Sequence, residues 1–516
     1  MKKKNIKYLS FFLAGSLTLM ACKKSFLDVT PKGTNLESNY YRNQTEAFNG
    51  LVAIYDVVGW QGGGFVTKEN AMDAGSDDHY AGGGNATDIN DLQVFSNYTL
   101  SPSVGPSYEL WRAGFSGVFR ANVLIQKLPG VPMDANLKSR YKSEATALRA
   151  YFYFDLVRLF KYVPLLTESI PADKIYDIEQ AAPAAVYKQI EDDLKAALAD
   201  NNIPDKVDVT VDGGRLTKGA LHALLGKVYL YEQKWAEAAT EFKEVNGATP
   251  GQENSKYGYK LLSDFASLWK TSNKFNSESI LEVGHSSKSA GSWDCIACTE
   301  GNVMNIIVGP RDYKALKPNA PDYISGYSFL PVTKNLFDAI HFDPRNKATV
   351  ANLDSLKANG IADYTPAYMN TGYFLGKFAG RLSDKTTGGG APELNYPQNM
   401  YEIRLADTYL MEAEALIRGN GDLSRATALM TAVHTRAYND GTTHNLAATF
   451  ENLKRERRLE LVGEGHRWFD LVRWGDAPAV LGSRGFKANK NEILPIPLND
   501  LNNTKLKQAK EWGGTL

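Results

Sequence analysis

Glu456, Glu460 and Glu464 stand four residues apart in the run RERRLELVGEGHRWFDLVRWG (455–475), with His466 and Asp470 close behind. On one continuous helix this spacing lines the three carboxyls along one face. Two carboxyls held roughly 5–10 Å apart in a cleft are what glycoside hydrolysis requires. The same run carries Arg457, Arg458, Arg467 and Arg473. Guanidiniums lower the pKa of a neighbouring carboxyl, whereas a general acid needs a raised one. The interleaved charges and aromatics therefore read as a partly buried ion-paired brace, and no catalytic residue is assigned. His466 has no histidine four residues away, so the helical zinc-protease pattern is absent. No G-x-S-x-G elbow occurs, and Gly62–Gly64 and Gly82–Gly84 lack the lysine and hydroxyl of a phosphate loop. Asp73, Asp77, Asp78, Asp88 and Asp91 could attract calcium, but their spacing is not that of an EF-hand. They read as solvated loop carboxylates, and neither metal nor cofactor is expected.

Binding chemistry has better candidates. Trp60, Phe65, His79 and Tyr80 fall in a Gly-, Asp- and Asn-rich stretch (59–97), read as a long exposed loop. Trp293, Tyr323 and Tyr327, with Tyr313 and Phe329, fall in a second stretch (260–399) without helical periodicity. Flat rings with polar edges suit the apolar faces and hydroxyl rims of sugars. Trp60, Phe65, His79, Tyr80, Trp293, Tyr323 and Tyr327 are taken as the ligand-binding set. Cys295 and Cys298 could form a local disulfide, a metal half-site or a redox pair. No second cysteine pair exists to complete a zinc site, and a small disulfide stiffening the loop is the expectation.

These residues must be held by the rest of a 516-residue chain with equal numbers of basic and acidic side chains, 58 each. That balance argues against nucleic acid, which requires a basic surplus. Residues 1–21 read as a signal peptide, with Lys2, Lys3, Lys4 and Lys7 before an apolar run. Leu19-Met20-Ala21-Cys22 is similar to a lipobox, which would leave lipid on Cys22. Residues 22–38 then form a tether. Helical periodicity appears at Tyr40–Val58, Tyr108–Leu128, Lys138–Phe160 and Ala184–Leu198. Leu216–Val245 has tetratricopeptide spacing (Leu225-Gly226, Tyr229, Ala238, Phe242, Pro250), with a looser copy at Tyr401–Ala437 and a last helix at Leu453–Val472. The expected fold is mainly α, a tetratricopeptide-like helical-repeat scaffold (39–259 and 400–516) with a large irregular loop-rich lobe (260–399) as the ligand-binding region.

Several segments together resemble the SusD/RagB family of outer-membrane nutrient-binding lipoproteins from Bacteroidetes. They are SFLDVTPKG (25–33), LWRAGFSGVFRANVLIQKL (110–128), SEATALRAYFYFDLVRLFKYVPLLTE (143–168), the run at 455–475 and ILPIPLNDL (493–501). The resemblance spans essentially the whole chain. It implies a cell-surface, lipid-anchored protein without catalytic residues that captures glycans or oligosaccharides and passes them to a TonB-dependent transporter. Peptide import is the alternative within the family, and a glycan-degrading enzyme is a more distant one. Lys23-Lys24 departs from the acidic residues that follow the lipidated cysteine in many surface lipoproteins.

Overall fold

The computed structural model describes residues 40–60, 65–295, 298–385 and 388–516. The signal peptide, Cys22 and the tether lie outside them. The scaffold is a stack of helices: α1 (Gln44–Val58), α2 (Lys68–Gly75), α3 (Ser107–Lys127), α4 (Ala135–Phe160), α5 (Pro183–Leu198), α6 (Lys218–Tyr231) and α7 (Trp235–Asn246). The C-terminal part adds α8 (Leu405–Arg418), α9 (Leu423–Tyr438), α10 (Phe450–Glu460) and α11 (Arg467–Trp474). From α3 to α9 each helix packs on the next. Alpha-helical repeats of this kind are the expected fold class. Small residues set the close approaches. A Cβ on Gly117 of α3 would stand 2.3 Å from the Phe152 ring of α4, and one on Gly226 of α6 would stand 2.9 Å from Phe242 of α7. The second contact is the physical content of the repeat spacing read from the sequence.

The irregular lobe is an insertion between α7 and α8, which nevertheless pack directly on each other. Strands β1 (Ser279–Val283) and β2 (Met400–Arg404) pair antiparallel near its two ends and return the chain to α8. Between them run short helices, two- and three-residue strands and turns. Tyr313, Tyr323, Leu353, Tyr364 and Phe374 form a small core of the lobe's own.

Two expectations need correction. Residues 65–97 are not an exposed loop. Thr67 and Asn70 form a capping box, and Ala71, Met72 and Ala74 are buried in the main core. Three of the acids that looked solvated are engaged from far along the chain, while Asp88 and Asp91 accept local backbone N–H groups. Arg458 donates to Asp78 at 2.7 Å, Arg467 donates to Asp77 at 2.8 Å, and the Gly465 N–H donates to Asp73 at 3.1 Å. The last helix is also broken in two. Gly463 and Gly465 both take φ +73°, and a Cβ at 465 would stand 2.9 Å from the Glu69 Cα. Both conditions exclude a side chain there.

Candidate functional site

The three glutamates that opened the sequence reading are buried and fully engaged. Arg345 reaches Glu456 at 2.7 Å and Glu460 at 2.8 Å, while Arg404 reaches Glu460 at 2.6 Å and Glu464 at 2.7 Å. Lys377 holds Glu464 at 2.8 Å, and Arg436 bridges Glu460 to Glu278. Burial alone would raise the Glu460 carboxyl, but Arg436, Arg404 and Arg345 outweigh it and hold it well below the carboxylate range. The partners are not the arginines of the same run. Arg457 turns to Asp470 and Asp407, and Arg473 to Glu414. Burial drives His466 down to about 4, against the pull of Asp407. The arrangement is a brace clamping the lobe (Arg345, Lys377) to α9 and α10.

The seven aromatic and histidine candidates separate. His79 is buried, its Nδ1 facing the Leu330 carbonyl at 3.0 Å, because residues 79–82 form bridges with 329–332. Tyr323 is buried in the lobe's small core under the Arg381 guanidinium. Neither ring is presented to a ligand in this structure, because the irregular segments pair with each other and bury both. Tyr80 and Tyr327 are half-buried, Tyr80 beneath the Arg484 guanidinium. Trp60 lies with its ring centroid 4.7 Å and 5.2 Å from the Arg112 and Arg120 guanidinium carbons.

Phe65 and Trp293 come together. Their centroids are 5.8 Å apart in an edge-on contact, although the residues lie far apart in the chain. Trp293 is 47% exposed, the only exposed tryptophan among the described residues. Its loop is well anchored. The Ser286 N–H donates to the Glu300 carbonyl at 2.7 Å, closing the loop's base. Ala391 N–H and the Asn395 amide both donate to the Gly291 carbonyl. Cys295 and Cys298 form the expected disulfide. An exposed indole on a pinned loop, edge-packed by a second ring, is a preorganised stacking surface.

Beside this pair lies a cavity of about 790 Å³ that the sequence reading missed. Trp60, Asp56 and Asn49 of the α1 side, Arg120 of α3, and Thr299 and Glu300 from the Trp293 loop line it. Trp60, taken from the sequence as a ligand-binding residue, lies on its wall, and the nearness of Glu300 to Trp293 was the other signal. No group of three or more His, Cys, Asp or Glu residues able to hold a metal exists among the described residues, and none of their helices is long and apolar enough to cross a membrane.

Comparison with known proteins fits this architecture. A SusD family profile matches residues 346–493, and a second profile, described as starch-binding associating with outer membrane, matches 26–230. A solved laminarin binding SusD-like protein is 49% identical, with a TM-score of 0.86 over 91% of this chain and 99% of that one. The chain belongs to the SusD/RagB family. Two further relatives are more distant. Surface glycan-binding protein A from Bacteroides thetaiotaomicron, solved with laminarihexaose, is 25% identical with a TM-score of 0.78 over 90% of this chain and 98% of that one. A SusD-like protein of Bacteroides ovatus is 25% identical over 89% of this chain and 81% of its own length.

Proposed function

We propose that this SusD-family protein is a non-catalytic binding protein that captures a glycan through the Phe65–Trp293 surface. The observation that carries the reading is the exposed Trp293 ring, held in place on a loop of the family scaffold. The 49% identical laminarin binding relative supports a laminarin-type β-glucan as the first ligand to test. The brace supports the non-catalytic part, since its carboxylates are locked to cations and none is available as an acid. In this reading Cys22 carries the lipid anchor at the outer-membrane surface, and the bound oligosaccharide passes to a TonB-dependent transporter. Isothermal titration of the protein against laminarin, starch, other polysaccharides and peptides tests it. Binding of laminarin without release of shorter products is expected. Binding of peptides but of no glycan would overturn the reading.

A further inference from the structure

Among the half-buried arginines of the described residues, only Arg311 and Arg484 form no ion pair. Arg484 donates instead to the Ser76, His79 and Ala74 carbonyls and the Ser96 hydroxyl. Arg311 is less well served. Its Nη2 donates to the Tyr327 carbonyl at 3.1 Å, its Nε is buried without an acceptor, and its Nη1 has no partner among the described residues. A guanidinium carries five N–H donors, so most of this fork is unused. Asp88 faces it across a gap. The Asp88 Oδ2 accepts the Gly84 N–H at 2.7 Å, and Oδ1 has no partner among the described residues. Asp88 Oδ2 and Arg311 Nη2 lie 3.1 Å and 3.4 Å from where a Cβ on Gly84 would stand, hence no more than about 6.5 Å apart, yet they form no ion pair. We infer that Asp88 and Arg311 form a hydroxyl-binding sugar subsite, separate from the Phe65–Trp293 pair, with Gly84 as its floor. The inference rests on the glycan reading above and adds a second contact to it.

The gap has the span that one oxygen bridges with two hydrogen bonds of about 2.8 Å each. A sugar hydroxyl can make both, accepting from the guanidinium and donating to the carboxylate, and bonds to charged groups are the stronger kind. An anion would be drawn to Arg311 but repelled by Asp88, whereas a neutral hydroxyl suits both. The absence of a side chain at Gly84 keeps the space open. Backbone contacts hold the walls before any ligand arrives. The Gly83 N–H donates to the Ser328 carbonyl at 2.9 Å, the Arg311 N–H to the Ser328 hydroxyl at 2.9 Å, and the Thr365 N–H to the Arg311 carbonyl at 2.9 Å. The Gln93 amide fixes the Asp88 carbonyl at 2.9 Å. The Tyr368 N–H donates to the Gly83 carbonyl at 3.0 Å, which places this 38% exposed tyrosine next to the gap. Its ring suits the apolar face of a sugar. Groups fixed in advance add little ordering cost to binding.

The test is isothermal titration of laminarin, or whichever polysaccharide the wild type binds most tightly, with melting temperatures recorded. It compares the wild type with Asp88→Asn, Gly84→Ala, Trp293→Ala and the double variant Asp88→Asn/Trp293→Ala. In Asp88→Asn the amide oxygen still accepts the Gly84 N–H, so the melting temperature should hold, but an NH₂ donor now faces the hydroxyl in place of an acceptor. Affinity should fall about tenfold. Gly84→Ala puts a methyl group into the gap at an exposed position and should weaken binding to a similar degree. If Asp88→Asn melts early, Gly84→Ala decides. The double variant should show the losses of both single variants combined, as independent contacts do. Unchanged affinity in folded Asp88→Asn and Gly84→Ala would overturn the subsite. So would an Asp88→Asn loss that vanishes in the Trp293→Ala background, since Asp88 would then only position the aromatic pair. Both outcomes leave the glycan reading intact. Failure of the wild type to bind any polysaccharide would overturn both.

Discussion

Glu460 and Glu300 are the same side chain in opposite circumstances. Glu460 lies fully buried among three guanidiniums, and Glu300 is exposed beside an open cavity, its carboxylate without a hydrogen-bond partner among the described residues. The first region is dense in the residue types that catalyse reactions, yet its buried charges are committed to holding the fold. The second contains few such residues: Asp56 is held by Arg120, and the Glu300 carboxylate has no hydrogen bond or ion pair among the described residues. Chemical capacity therefore depends on which groups are left unsatisfied rather than on how many ionisable residues a stretch contains. A buried ion pair is strongly held only because removing one member strands the others.

Breaking the brace should produce the largest effect. Glu460→Ala leaves Arg345, Arg404 and Arg436 short of a buried counter-charge, with an expected loss of about 3–5 kcal/mol in urea unfolding. A loss under about 1 kcal/mol would mean that the charges are solvated. Next comes the exposed side of the comparison. Trp293→Ala should cost about 2 kcal/mol of glycan affinity by titration and leave the unfolding midpoint in place. Acid should separate the two regions further. His466 titrates near about 4 when folded and 6.5 when not, so the stability present above 6.5 falls as the pH drops through that window. Asp407 and Glu464 favour its protonation in the fold, while Lys227 and Arg457 oppose it. Below about 4.5 the depressed carboxyls of Glu460 and Glu464 deepen the loss. Urea midpoints measured across this range should decline steadily, and a flat profile would contradict the assignment. The smallest effect is expected at Tyr323→Phe. It removes a hydroxyl from a buried ring, costs about 1 kcal/mol of stability or less, and leaves affinity unchanged. A loss of affinity there would return Tyr323 to the ligand.

The sequence made some of this legible and hid the rest for definable reasons. Helical periodicity and the Gly226–Phe242 spacing are local, and they located the scaffold helices. The brace was readable as structural because arginines crowd the glutamates. Its real partners, Arg345, Lys377, Arg404 and Arg436, were not, since they approach through the insertion and through α9. The acids at 73–78 looked solvated because Arg458 and Arg467, which hold Asp77 and Asp78, lie nearly the whole chain away. His79 and Tyr323 looked available because glycine-rich flanks suggest open loops. In the fold those flanks let segments approach closely enough to bridge, as at Gly82 and Phe329. Trp293 remained exposed and Phe65 half-buried, and their meeting required tertiary structure.

The central claim is that the loops bind while the helix junction only supports them. Titrating laminarin into Trp293→Ala and Glu460→Ala, with each variant's melting temperature recorded, tests it most directly. The account predicts that Trp293→Ala melts like the wild type and binds poorly, whereas Glu460→Ala melts early and, below that temperature, binds like the wild type. Wild-type affinity in a folded Trp293→Ala would contradict it.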